Sequence, residues 1–171
     1  MKKLEDILYK VRIIAIRGNR DVRVRSITVD SRSIKNSLHR SAQELEGASM
    51  FIAVKGEKFD GNNFIQQSID KGAAIIVCEV LPQTLDDSVT YIQVKNAYEA
   101  TAYIAHNFYD EPSRRLKLVG VTGTNGKTTI ATLLFKLFSG LSYKCGLVST
   151  VQNQIAGEII LATHTTPDAI S

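Results

Sequence analysis

The chain has 171 residues, 44% of them hydrophobic and 22% charged, with a formal net charge of +4. That length holds one domain or two small ones, and the composition is that of an ordinary soluble globular protein. Apolar runs such as Ala73–Cys78 are far too short to span a bilayer, and Met1–Leu8 mixes acids into its apolar stretch without a cleavage-site pattern, so no membrane span or signal peptide is read here.

In chain order, Lys2–Lys10 reads as a short amphipathic helix with Leu4, Ile7 and Leu8 on one face. Val11–Arg17 and Val22–Val29 read as strands with a Gly18-Asn19 turn between them. Residues 33–49 form a long polar connection with at most one helical turn, and Met50–Val54 is a strand. Asn62–Lys71 is a helix closed by Gly72. Ala73–Cys78 and Val89–Val94 are strands separated by a loop containing Pro82 and Asp86-Asp87. Asn96–Tyr109 is a helix with Asn96 as N-cap and Glu99 three residues on, and Ala97, Ala100, Ile104 and Phe108 line one face. Pro112 breaks the chain. Leu116–Thr122 is a strand that feeds a helix from Gly126 to about Ser139, with Leu133, Leu134, Leu137 and Phe138 inward. Lys144–Thr150 is the next strand, spaced for a right-handed βαβ unit. Gln154–Leu161 looks like a hairpin around Ala156-Gly157, and Pro167 suits the first turn of another helix.

Chemistry concentrates at Gly123-Thr-Asn-Gly-Lys-Thr-Thr129. A strand, a glycine turn and a helix start are the layout of a phosphate-binding loop. Gly123 and Gly126 permit backbone geometry and close approach that a β-carbon would hinder. Successive N–H groups then face phosphate oxygens at the positive end of the helix dipole. Lys127 would reach the β/γ-phosphates, and Thr128 would ligate Mg²⁺. The general pattern asks for Gly at position 121, where this chain has Val121, so the strict motif fails. The bland alternative is a glycine turn before an amphipathic helix with a chance Lys-Thr pair.

Two weaker clusters precede it. Asp30-Ser31-Arg32 follows a strand, and Phe51-Ile-Ala-Val-Lys55-Gly56 runs into a turn ending at Asp60-Gly61. A hydroxyl, a guanidinium fork and exposed amides suit a diphosphate or a uracil edge. Alone, the first is more often an Asx turn and the second more often a plain loop. Residues 1–40 carry eleven Lys/Arg against four Asp/Glu. Arg12, Arg17, Arg20, Arg23 and Arg25 alternate with Val and Ile as on solvated strand faces, and only Tyr9 offers a stacking ring. A surface tolerant of anionic substrates is therefore expected rather than a nucleic-acid site. The cysteines, Cys78 and Cys145, read as buried free thiols, and the histidines His39, His106 and His164 lack metal-ligand spacing.

Taken together, Asp30-Ser-Arg, Met50-Phe-Ile-Ala-Val-Lys-Gly, Asp60-Gly-Asn-Asn-Phe-Ile, Gly72-Ala-Ala-Ile-Ile-Val and the glycine loop resemble the Mur ligases, the ATP-dependent amino-acid ligases of peptidoglycan synthesis. The Thr122-to-Thr129 loop and the ending Ala162-Thr-His-Thr-Thr-Pro-Asp168 look most like the MurE branch. That branch adds a third residue, meso-diaminopimelate or L-lysine, to UDP-N-acetylmuramoyl-L-alanyl-D-glutamate. The resemblance departs at residues 33–49, where the family usually has a short Pro-Gly-Asp turn. It implies a cytoplasmic enzyme and assigns Gly123, Thr124, Asn125, Gly126, Lys127, Thr128 and Thr129 to ATP, with Lys127 catalytic and Thr128 on Mg²⁺. It assigns Ser31, Arg32, Lys55, Gly56, His164, Thr165 and Thr166 to the UDP-substrate. His164 has an equal reading as a strand-end polar residue. The implied reaction phosphorylates the substrate carboxylate and lets an amine displace phosphate. The family's Mg²⁺-binding Glu, carbamylated Lys and selector of the third amino acid fall beyond position 171, so the 171-residue chain alone is expected to lack ligase activity.

The expected architecture is α/β. A small mixed-sheet substrate domain spans 1–94, and from 95 begins a phosphate-loop domain with a parallel sheet, cut short. Pro112 is the alternative boundary. An incomplete sheet would leave an open edge and an uncovered apolar face, which favours self-association. Competing readings are a MurF-type ligase, which shares the Asp-Ser-Arg and Asp-Gly-x-x-Phe patterns, a non-catalytic UDP-sugar-binding module, and a phosphate-loop ATPase unrelated to cell walls.

Overall fold

A computed structural model describes residues 1–34, 47–56, 59–155, 158–161 and 169–170. The chain divides into two compact units at Arg114/Arg115.

The first unit is built on a six-stranded mixed sheet. Its strands are β1 (Lys2–Lys3), β2 (Ile13–Arg17), β3 (Arg23–Thr28), β4 (Ala48–Ile52), β5 (Ala73–Cys78) and β6 (Thr90–Val94), in the order β1-β3-β4-β5-β6-β2. β3, β4, β5 and β6 run parallel, with Ile27 opposite Met50, Met50 opposite Ile75 and Ile75 opposite Thr90. The two outer strands are antiparallel: β1 on β3, and β2 on β6 with Ile16 opposite Ile92. The parallel strands are buried on both faces, which is why Met50-Phe-Ile-Ala and Ala73–Cys78 are unbroken apolar runs.

Alternation sorts those runs into two cores. Met50, Ile52, Ile75, Val77, Ile92 and Val94 point to one face, under α1 (Leu4–Ile7) and a later helix, α3 (Ala97–Phe108). Phe51, Ala53, Ile76, Cys78 and Tyr91 point to the other, with Ile65 of α2 (Ile65–Asp70). The Asn96 side chain accepts from Glu99 N at 2.9 Å, as its N-cap position predicts. Asn107 donates to the carbonyls of Ile7 at 2.9 Å and Tyr9 at 2.7 Å and so ties α3 to α1.

The two strands either side of Gly18-Asn19 are present as β2 and β3, and β2 joins the far edge of the sheet beside β6. One expectation is corrected here. The helix expected to open the second domain instead buries Ala97, Ala100 and Ile104 on the first sheet, so α3 belongs to the first unit and the chain divides beyond Pro112.

In the second unit, α4 (Lys127–Gly140) is followed by an antiparallel sheet of β7 (Gly146–Val148), β8 (Gln152–Ile155) and β9 (Glu158–Leu161), in the order β7-β8-β9. The expected 154–161 hairpin is present as the β8–β9 pair. Residues 116–122 do not form the expected strand, so the βαβ unit expected around α4 is not seen among the described residues. A strand needs a neighbour to take its backbone hydrogen bonds, and none of the described strands pairs with this segment. Leu118 is accordingly 91% exposed. For the same reason Leu133, Leu137 and Phe138 of α4, expected inward, are exposed. No helix of the described residues is long and apolar enough to cross a membrane.

Candidate functional site

The first cluster sits at the carboxyl end of β3. Ser33 N donates to the Asp30 carbonyl at 3.1 Å, closing a turn over 30–33. Arg32 N donates to Asp30 Oδ1 at 2.8 Å, so the turn is also the Asx turn that Asp-Ser after a strand suggests. The Arg32 guanidinium folds back on the same carboxylate, with Nε at 2.9 Å from Oδ1 and Nη2 at 2.9 Å from Oδ2. These bonds hold the Asp30 carboxyl below its ordinary range.

Ser31 is only 7% exposed. Its hydroxyl donates to Gln67 Oε1 at 3.3 Å, and its carbonyl accepts from Lys71 Nζ at 3.0 Å. Gln67 lies on α2 and Lys71 at its C-cap. Sequence reading missed both, although their four-residue spacing puts them on one helix face.

The second cluster follows β4, the parallel neighbour of β3, so both leave the sheet at the same end. Lys55 bridges to Asp60, and Gly56 N donates to the Phe59 carbonyl at 2.9 Å. Asp60 caps the following 3-10 turn, Gly61–Phe64, by accepting from Asn62 N at 2.9 Å, which lowers its own pKa. The structure thus sets Ser31, Arg32, Lys55 and Gly56 on adjacent loops at the carboxyl ends of parallel strands, where open α/β sheets bind ligands.

The glycine loop lies in the second unit. Gly126, with φ +78°, is the N-cap of α4, and Gly123 has φ +150°; both values favour glycine. No side chain caps α4. Its first turn-to-helix bond runs from Ile130 N to the Gly126 carbonyl at 2.9 Å, and the amides of Lys127, Thr128 and Thr129 precede that ladder. The Lys127 ammonium lies back over the loop, donating to the carbonyls of Gly123 at 2.6 Å and Thr124 at 3.2 Å. Thr128 Oγ1 is 3.4 Å from Thr150 Oγ1, a partner sequence reading did not find. Thr124, Asn125 and Thr129 complete the exposed turn. His164, Thr165 and Thr166 lie outside the described residues. Among the described residues no group of three His, Cys, Asp or Glu is placed to hold a metal ion.

Comparison with known proteins follows the same division. The family model described as "Mur ligase family, catalytic domain" matches residues 23–109, and "Mur ligase middle domain" matches 121–171. The diaminopimelate ligase of Cytophaga hutchinsonii, named UDP-N-acetylmuramoyl-L-alanyl-D-glutamate--2,6-diaminopimelate ligase, is 52% identical over 170 residues. That alignment covers 99% of this chain and 33% of the relative. Proteins of the same name from Bacteroides fragilis and Phocaeicola vulgatus are 44% and 46% identical, again over 99% of this chain and 33% of theirs. Among solved structures, MurF from Acinetobacter baumannii is similar in fold, with a TM-score of 0.57 and 21% identity over 82% of this chain and 28% of that one. The chain spans about a third of the length of the curated relatives it matches. With one family model covering half of it and a second the glycine loop onward, the chain belongs to the Mur ligase family.

Proposed function

We propose that this chain carries the UDP-substrate site and the ATP phosphate loop of a ligase that adds meso-diaminopimelate to UDP-N-acetylmuramoyl-L-alanyl-D-glutamate. The observation that carries the reading is the pairing, in one chain, of the anchored Ser31 turn with an uncapped, glycine-opened helix start. Eight relatives bearing the diaminopimelate-ligase name, 34–52% identical over nearly the whole chain, support diaminopimelate over lysine. The likeness to MurF concerns the fold and does not favour a MurF-type substrate.

In this reading the first unit holds the uridine diphosphate end through Ser31, Arg32, Lys55 and Gly56, with His164, Thr165 and Thr166 assigned to the muramoyl-dipeptide. The left-handed Gly126 and the unsatisfied first-turn amides of α4 fit a phosphate group, with Gly123, Thr124, Asn125 and Thr129 framing it. Lys127 exchanges its two loop carbonyls for phosphate oxygens and neutralises charge there. The Thr128 hydroxyl, beside that of Thr150, is a hard oxygen donor and fits Mg²⁺. ATP supplies the phosphoryl group that makes a carboxylate open to attack by the incoming amine. The setting is the cytoplasm, where such nucleotide substrates are found.

Calorimetric titration tests this. UDP-N-acetylmuramoyl-L-alanyl-D-glutamate is expected to bind saturably and to weaken on Ser31→Ala, while ATP–Mg²⁺ binds independently and weakens on Lys127→Met. Binding of ATP without binding of the UDP compound would leave a phosphate-loop protein of another kind.

A further inference from the structure

At the 30–33 turn the charges do not balance. Asp30 and Arg32 cancel as charges: Arg32 Nε–H is shared between the two Asp30 carboxylate oxygens at 2.9 and 3.1 Å and Nη2 donates to Oδ2 at 2.9 Å, a pairing that leaves three of the five guanidinium N–H groups unused. What remains is Lys71, whose charge acts on Asp30 only as a weaker, longer-range contribution. Its ammonium reaches 40 residues back along the sequence to the Ser31 carbonyl at 3.0 Å, a neutral partner, and among the described residues it makes no ion pair. One of its three protons is used there. A half-buried cation, two of whose protons find no partner among the described residues, stands beside the most buried polar residue of the candidate site, Ser31. The Ser31 hydroxyl meanwhile donates to Gln67, so at rest it offers a ligand lone pairs rather than a proton. A diphosphate at neutral pH only accepts hydrogen bonds. It is therefore matched by the Lys71 ammonium better than by the Ser31 hydroxyl, and the Lys71 charge, unlike that of Arg32, has no carboxylate paired with it among the described residues.

We infer that Lys71 is a binding residue for the diphosphate of the UDP-substrate, and that the same ammonium positions the Ser31 turn. The inference rests on the UDP-substrate reading above and deepens it. The guanidinium of Arg32, the residue that motif reading favours for the anion, also shapes the turn by holding Asp30 and meets a ligand with its charge already offset. Lys71 is supplied by α2, an element the motif does not include.

The test is an NMR-detected titration of uridine and UDP into the wild-type chain, Lys71→Met and Lys71→Arg, with UDP repeated at two salt concentrations. A charge-assisted contact predicts that Lys71→Met lowers UDP affinity about ten- to a hundredfold. Uridine affinity stays the same, and the dependence of UDP binding on salt flattens. Lys71→Arg retains most of the affinity, which also shows that the site survives substitution. Equal loss for uridine and UDP, or an unchanged salt dependence, would reduce Lys71 to a strut of the turn and overturn the assignment. Unchanged UDP affinity in Lys71→Met would overturn it too. If the wild-type chain binds neither compound, the UDP-substrate reading itself falls and this assignment falls with it.

Discussion

Gly61 is where the candidate substrate site is most sensitive to one added carbon. A β-carbon there would lie 2.6 Å from the Val54 carbonyl oxygen, 2.7 Å from Val54 N and 2.9 Å from Ala53 C. All three are backbone atoms. They cannot swing aside, because Ala53 N is fixed to the Val77 carbonyl at 2.8 Å in the sheet, and Gly61 N itself donates to the Val54 oxygen at 3.0 Å. Gly61→Ala must push the 60–64 turn outward. Overpacking costs about 1–3 kcal/mol, and the strained Gly61 hydrogen bond about 1 kcal/mol more. The narrower unfolded ensemble of alanine offsets about 0.4–1 kcal/mol. The net loss is about 1–3.5 kcal/mol, which for a unit of this size lowers Tm by about 4 °C or more. Thermal unfolding by far-UV circular dichroism, with amide exchange of β4 and β5 to assign the transition, measures it. Gly140→Ala is the control: nothing lies within 4 Å of its β-carbon, and a helical alanine is favoured by up to about 1 kcal/mol. The displaced turn leads into α2, so UDP affinity should fall along with Tm. A Gly61→Ala chain that melts within two or so degrees of wild type would refute the packing argument.

Three further outcomes follow from single groups. Asn107→Leu removes one buried and one part-buried hydrogen bond, those to the carbonyls of Ile7 and Tyr9, so urea unfolding should show a loss of about 2–3 kcal/mol. Arg32 lowers the Asp30 pKa below the ordinary 3.8. A carboxyl depressed in the folded state contributes stability above that value and loses it as pH falls through the folded pKa. The stability difference between wild type and Asp30→Asn should thus shrink as pH drops below about 4, and carboxyl NMR should show Asp30 still ionised where an unpaired aspartate is half protonated. Burial pushes the Cys78 thiol up to about 11, whereas Cys145 is partly exposed. Iodoacetamide at pH 8 should label Cys145 well before Cys78, as read by peptide mass spectrometry.

How much of this was legible in the sequence varies with what each element depends on. Ala73–Cys78 emerged with its expected limits because a strand buried on both faces is an unbroken apolar run between turn residues. The start of α3 was legible because its cap is local: Asn96 and the Glu99 amide are three residues apart. The fold class was legible for the same kind of reason, and the mixed sheet was found. Neighbours were not. Nothing within residues 11–29 says that β2 crosses to pair with β6, since that choice belongs to the whole sheet. Leu116–Thr122 has the composition of a strand yet forms none, because β-structure requires a partner. The apolar stripe of α4 was read correctly as a stripe, but its direction depends on what packs against it. In the site, the Asp-Ser-Arg and glycine-loop residues were visible as motifs. Gln67 and Lys71 were not, since their roles come from contacts with Ser31, 36 and 40 positions away.

The most direct test is an amide hydrogen-exchange map of the chain with each ligand separately. The account predicts that UDP-N-acetylmuramoyl-L-alanyl-D-glutamate slows exchange at residues 30–33 and 55–61, and that ATP–Mg²⁺ slows it at 123–129. Protection of 123–129 by both ligands, with residues 30–33 and 55–61 unchanged, would contradict it.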